Sequence, residues 1–173
     1  MKKAISLSVF LFITSLLLEA QIHGDYIVTL KEDTIYGEIK YKPFSKQMVF
    51  HYNKRKFVFN PGSLKFFGTY RNGQYQHYKT LRPTGWELIF VQVLTEGKLN
   101  LYHYHHLDER YPPPHVRRLY FLGPTDKKLA TISTRSYGPV IKFMFKDYPS
   151  ISGKASRSTF DEVPGIVAAY NQL

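Results

Sequence analysis

Residues 64–78 read Leu-Lys-Phe-Phe-Gly-Thr-Tyr-Arg-Asn-Gly-Gln-Tyr-Gln-His-Tyr. Asn72-Gly73 sits between two β-prone segments, Leu64 to Tyr70 and Gln74 to Tyr78, and both turn residues accept the positive φ that a tight hairpin requires. The pattern continues outward on both sides. Met48 to Tyr52 and Lys56 to Asn60 flank the polar turn Asn53-Lys54-Arg55, and Asn60-Pro61-Gly62 ends that second hairpin. Further back, Tyr26 to Leu30 and Ile35 to Tyr41 alternate with a period of two around Lys31-Glu32-Asp33.

On the C-terminal side, Trp86 to Leu94 is apolar on both faces, which suits a central strand covered on two sides. Glu96-Gly97 turns the chain into Leu99 to His105. A last pair, Arg117 to Leu122 and Lys128 to Ser133, is separated by Gly123-Pro124-Thr125-Asp126. Leu107 to His115, with Pro112-Pro113-Pro114, reads as a stiff exposed loop. The character changes at Gly138-Pro139, which can open a short helix through Phe145. Asp161 suits an N-cap, and Val163, Ile166, Val167 and Tyr170 then fall on one helical stripe. The fold expected is mainly β: one antiparallel domain of about eight to ten short strands, a sheet or partly open barrel, with one or two C-terminal helices packed on it.

The first twenty residues stand apart. Lys2 and Lys3 precede an uncharged run of 15 residues, Ala4 to Leu18, and Ala20 supplies a small residue for cleavage. This is the layout of a secretory signal peptide, and the run is short of the roughly 20 apolar residues of a membrane span. The expected organisation is a signal peptide over 1–20 and a single β-rich domain over 21–173, ending in a helix over 161–173. Export would place the chain in the periplasm, on the outer-membrane surface or outside the cell, with no transmembrane segment after cleavage.

The chain has no cysteine, which excludes thiol nucleophiles, thiolate zinc sites and disulfides. Its core must rest on burial alone, for which 14 Tyr and 13 Phe provide the material. The whole chain carries 24 Lys and Arg against 13 Asp and Glu; without Lys2, Lys3 and Glu19 the net charge is +10. For an exported chain that balance points to anionic lipid headgroups, lipopolysaccharide or another envelope protein as partner rather than nucleic acid. The candidate anion-binding residues are Lys54, Arg55, Lys56, Arg117 and Arg118.

No G-x-S-x-G elbow and no phosphate-binding loop is present, and the sequence implies no cofactor. The sharpest local cluster is His103-Tyr104-His105-His106-Leu107-Asp108-Glu109. Residues two apart in a strand share a face, so His103 and His105, with Asp108 from the following turn, are the candidate metal ligands. Trp86 beside Thr84-Gly85 is a candidate sugar-stacking ring, although a Trp opening an apolar strand more often belongs to the core.

Gly24-Asp25-Tyr26-Ile27-Val28-Thr29-Leu30, Asp33-Thr34-Ile35-Tyr36-Gly37-Glu38-Ile39 and the closing Ile166-Val167-Ala168-Ala169-Tyr170-Asn171 resemble a group of uncharacterised exported proteins of Bacteroidota. In that group a G-x-I-V…D-T-I-x-G-x-I hairpin follows the signal and the chain ends in a Tyr-Asn helix. The resemblance implies a cell-envelope protein and supplies no catalytic residues. Within it, Asp33 suits the turn and Gly37 a bulge or close packing. The reading that follows is a non-catalytic binding or structural module with a basic surface; the alternative is a secreted metal-dependent enzyme using His103 to Glu109.

Overall fold

The computed structural model describes residues 24–173 except Tyr111 and Ser156. The leader expected over residues 1–20 lies outside the described residues. Ten strands run β1 Asp25–Thr29, β2 Thr34–Tyr41, β3 Met48–Tyr52, β4 Arg55–Phe59, β5 Leu64–Arg71, β6 Gln74–Leu81, β7 Ile89–Thr95, β8 Asn100–Asp108, β9 His115–Thr125 and β10 Lys128–Ile132. Three short helices follow: α1 Tyr137–Met144, α2 Pro149–Ala155 and, after a 3-10 turn at Phe160–Glu162, α3 Val163–Asn171. All strand pairs are antiparallel, and the sheet is open, in the order β10-β9-β8-β7-β6-β5-β1-β2-β3-β4. None of the described helices is long and apolar enough to cross a membrane.

The expected hairpins form where the turn chemistry placed them. Asn72 and Gly73 take φ of 51° and 80°, and Arg71 pairs with Gln74 across them. Asn53 and Lys54 take φ of 48° and 62°, so the second hairpin turns on two residues, with Tyr52 opposite Arg55. Gly37 is a close-packing position. A Cβ there would lie 2.5 Å from the His51 carbonyl oxygen and 2.6 Å from the Phe50 ring.

The sheet curls. Tyr41, on β2, rests its ring 5.2 Å from Phe67, 5.0 Å from Tyr78 and 5.9 Å from Phe90, measured between centroids. Those rings stand on β5, β6 and β7, and in a flat sheet four strand spacings would put β7 roughly 19 Å from β2. The β2–β4 end therefore folds over β5–β7, enclosing Ile27, Ile39, Met48, Phe50, Leu64, Phe67, Tyr78 and Phe90. Further along the same face, Leu101, Tyr120, Leu122 and Ile132 are covered by Ile141, Phe145, Phe160, Val163, Ile166 and Val167 from the helical layer. On the opposite face Ile89, Val91, Tyr102, Tyr104, Leu119 and Phe121 pack together, with Trp86 laid against them.

Several boundaries differ from the sequence reading. The loop expected over Leu107 to His115 is shorter, because Leu107 pairs with Val116 and Asp108 with His115 at the ends of β8 and β9, and Arg55 opens β4 rather than ending the turn. β7 begins at Ile89 rather than Trp86, because Gly85 takes φ 80° and the Trp86 amide donates to the Pro83 carbonyl in a turn. Ile89, Phe90 and Val91 are nonetheless buried on both faces, as a central strand requires. β9 runs on through Gly123 and Thr125, since Gly123 pairs with Asn100 and Thr125 with Lys128. Asp161 is not the N-cap: Glu162 reaches back to accept from the Thr159 amide at 2.6 Å, and Asp161 instead pairs with Arg118. α2 is an additional helix; apart from Ile151 it places no core side chain, so it leaves no apolar stripe in the sequence.

Candidate functional site

The β8 histidines divide between the two faces of the sheet. His103 and His105 share the face under the helical layer, with ring centroids 4.4 Å apart and His103 5.3 Å from Tyr120. Asp108 is an odd number of residues away and therefore belongs to the other face, that of His106. It is 1% exposed. It accepts from Arg110 at Nε (3.0 Å) and Nη2 (3.1 Å) and pairs with Arg117 Nη2 at 2.8 Å. The Arg110 hydrogen bond, opposed by desolvation and reinforced by Arg117, holds its carboxyl well below the usual carboxylate range. The three side chains of the metal set are thus not brought together. Among the described residues no group of three or more His, Asp or Glu side chains is arranged to hold a metal ion.

What the histidine pair does instead is couple the fold to pH. The buried Nε2 of His103 has no hydrogen-bond partner among the described residues. Burial, then His105 and Arg118, lowers its pKa to about 4, and burial lowers that of His105 as well. The unfolded chain takes up a proton at His103 near 6.5, the ordinary value, whereas the folded chain resists until about 4. Stability from this group is thus full above pH ~6.5 and lost as pH falls toward 4. Melting temperature measured across that window should fall, and His103→Leu should flatten the fall. Equal slopes for the two proteins would refute the assignment.

The basic candidates also separate. Arg117 is engaged with Asp108, and Arg118 pairs with Asp161 at 2.7 Å while its guanidinium lies 5.8 Å from the Phe160 ring centroid. Arg118 therefore pins the helical layer to β9. Lys54, Arg55 and Lys56 sit at the tip of the β3–β4 hairpin, and among the described residues none of them makes an ion pair. Tyr52, Phe57 and Val58 are exposed beside them, an arrangement in which cations and apolar surface share one small projection. β4 is also the sheet's edge, so one side of its backbone is unpaired.

Trp86 is half-buried and packs against the core. Its ring meets Tyr104, His106 and Phe121 edge-on at 5.7, 5.2 and 5.7 Å. Two polar centres gave no sequence signal because their members are far apart in the chain. Asp25, buried at the start of β1, accepts from the amides of Ile39 and Tyr70 and from Arg71. Glu96 and Asp126 converge on Lys79, at 3.2 and 2.7 Å, and on the Tyr102 hydroxyl. A shared ammonium holds both acids as partners of one cation, which suits a clamp between turns. Protein-family models, curated proteins and solved structures were compared with the chain, and none matches it.

Proposed function

We propose that the protein is a non-catalytic module of the cell envelope that docks on an anionic surface through the β3–β4 hairpin. The observation that carries this reading is the tip itself: Lys54, Arg55 and Lys56 without an acidic partner among the described residues, flanked by exposed Tyr52, Phe57 and Val58. Cations near an anionic leaflet contribute about 1 kcal/mol each, and aromatic rings favour the headgroup level. Lys54 adopts a left-handed φ of 62°, so the backbone accepts a conformation unusual for lysine to form the tight turn that carries these cations. The export signal expected over residues 1–20 and the basic balance of the chain supply the envelope setting.

Sedimentation with vesicles of equal parts phosphatidylglycerol and phosphatidylethanolamine tests the proposal. Binding is expected at about 0.01 M salt and should vanish near 1 M, where the screening length shrinks to about 3 Å. The combined change Lys54→Ser, Arg55→Ser and Lys56→Ser should weaken binding roughly a hundredfold, the equivalent of about 3 kcal/mol. Wild-type protein that stays in the supernatant at low salt, or a triple variant that binds equally well, would overturn it.

A further inference from the structure

On the sheet face opposite the helices, a row of register partners crosses four strands: Tyr36 on β2, Tyr26 on β1, Gly68 on β5 and His77 on β6. Gly68 has no side chain, and the Tyr26 ring lies in the space this leaves. A Cβ at position 68 would come within 2.6 Å of Tyr26 Cζ and 2.9 Å of its hydroxyl oxygen. The Tyr26 hydroxyl reaches His77 Nδ1 at 2.9 Å, and the Tyr75 hydroxyl donates to the Gly24 carbonyl at 3.4 Å. The central ring is thus held flat across two strands by a hydrogen bond at its far end.

Around that ring stand Tyr36 at 6.1 Å, Tyr75 at 6.3 Å and His77 at 6.3 Å, tilted against it by 54°, 56° and 58°. Together the four side chains line a cleft of about 310 Å³. Covering a strand glycine needs one aromatic ring, and Tyr26 does that alone. Tyr36 and Tyr75 are surplus to it, and Tyr36 is left 58% exposed. Tyr26 and Tyr75 are half-buried beside it, so ring faces and polar ends meet solvent together at one spot of the sheet.

We propose that this cleft binds a neutral pyranose oligosaccharide. Among the described residues no Asp, Glu, Lys or Arg lines it, so an anion would find no charged partner there, and the strongly basic chain as a whole repels cations. The lining is ring faces with polar ends: three phenol hydroxyls and an imidazole. A sugar ring matches both parts, laying its C–H face on an aromatic ring while its hydroxyls meet the polar rim. The volume lies at the lower end of the roughly 300–1,000 Å³ of small-molecule sites, room for about one or two rings of such a sugar, with the rest of it in solvent. The site is independent of the hairpin that carries the surface-docking reading.

Saturation-transfer NMR and titration calorimetry of the purified protein with cellopentaose and with N-acetylchitopentaose test the site. Binding of at least one of the two is expected, with Tyr36→Ala weakening it about tenfold and Tyr75→Ala acting in the same direction. Phe143→Ala, an exposed aromatic on α1, should leave binding unchanged. Circular dichroism of each variant separates lost binding from lost folding. Absence of binding for both sugars at millimolar concentration, wild-type affinity in folded Tyr36→Ala, or displacement of the sugar by tetramethylammonium would overturn the proposal.

Discussion

Asp25→Ala is expected to destabilise the fold by about 3 kcal/mol, a large share of the roughly 5–15 kcal/mol that holds a domain together. The side chain is 7% exposed, and its two oxygens accept the Ile39 amide at 2.8 Å and the Tyr70 amide at 2.9 Å. β1 starts at Asp25, while its neighbours β2 and β5 run past that point. The carboxylate meets the amides of Ile39 on β2 and Tyr70 on β5, just past its own register partners. Removing it strands two backbone donors, each costing about 1–3 kcal/mol. The ion pair with Arg71 adds little, because Arg71 is half exposed and also donates to the Ile39 carbonyl at 2.8 Å. Asp25→Asn should fall between, since its amide oxygen can still accept one N–H. Urea unfolding measures the series. A loss for Asp25→Ala below about 1 kcal/mol would mean that water replaces the carboxylate.

Phe67→Ala should cost about 3–5 kcal/mol, the range for removing a large aromatic from a core. Phe67 is fully buried, stacked on Tyr78 at 4.8 Å and met edge-on by Phe90 at 5.1 Å and Tyr41 at 5.2 Å. It is the ring on which the β2–β4 end closes over β5–β7, so the variant should lose more than the volume of one side chain. Burial, with Tyr78 beside it, holds the Tyr41 phenol above its ordinary pKa. In Phe67→Ala that phenol should titrate nearer to a free tyrosine, followed by ultraviolet absorbance. A full stability loss with Tyr41 unmoved would show that the curl does not depend on Phe67.

The ladder of hairpins was legible because its signals are local. Asn72-Gly73 and Asn53-Lys54 fix their turns through backbone conformation, and alternation in Ile35 to Tyr41 assigns the faces. Gly37 was readable as a packing glycine for the same reason. α2 was not legible, having one buried apolar residue and no periodic stripe. The capping role passed from Asp161 to Thr159 and Glu162 because a 3-10 turn over Phe160–Glu162 precedes α3 and already contains Asp161, whose side chain pairs with Arg118. Spacing alone put Asp108 near His103 and His105, but strand parity places it on the opposite face and two arginines occupy it. The Tyr26, Tyr36, Tyr75 and His77 cleft joins three strands across a register that no single window contains. Its one sequence trace is Gly68 within an aromatic strand.

The strand order also sets how the sheet is assembled. Eight of the nine neighbouring pairs join strands consecutive in the chain, and only β1 with β5 does not. The sheet is therefore two meanders, β1–β4 and β5–β10, sewn along a single seam. Consecutive hairpins close short loops, whereas the seam joins strands separated by the whole of β2–β4 and must overcome the entropy of closing that longer loop. Until then β1 exposes one edge and β5 the other. The pairing of greatest sequence separation in the sheet is thus one strand meeting its second neighbour, and Asp25 fastens the end of that seam by accepting the Tyr70 amide.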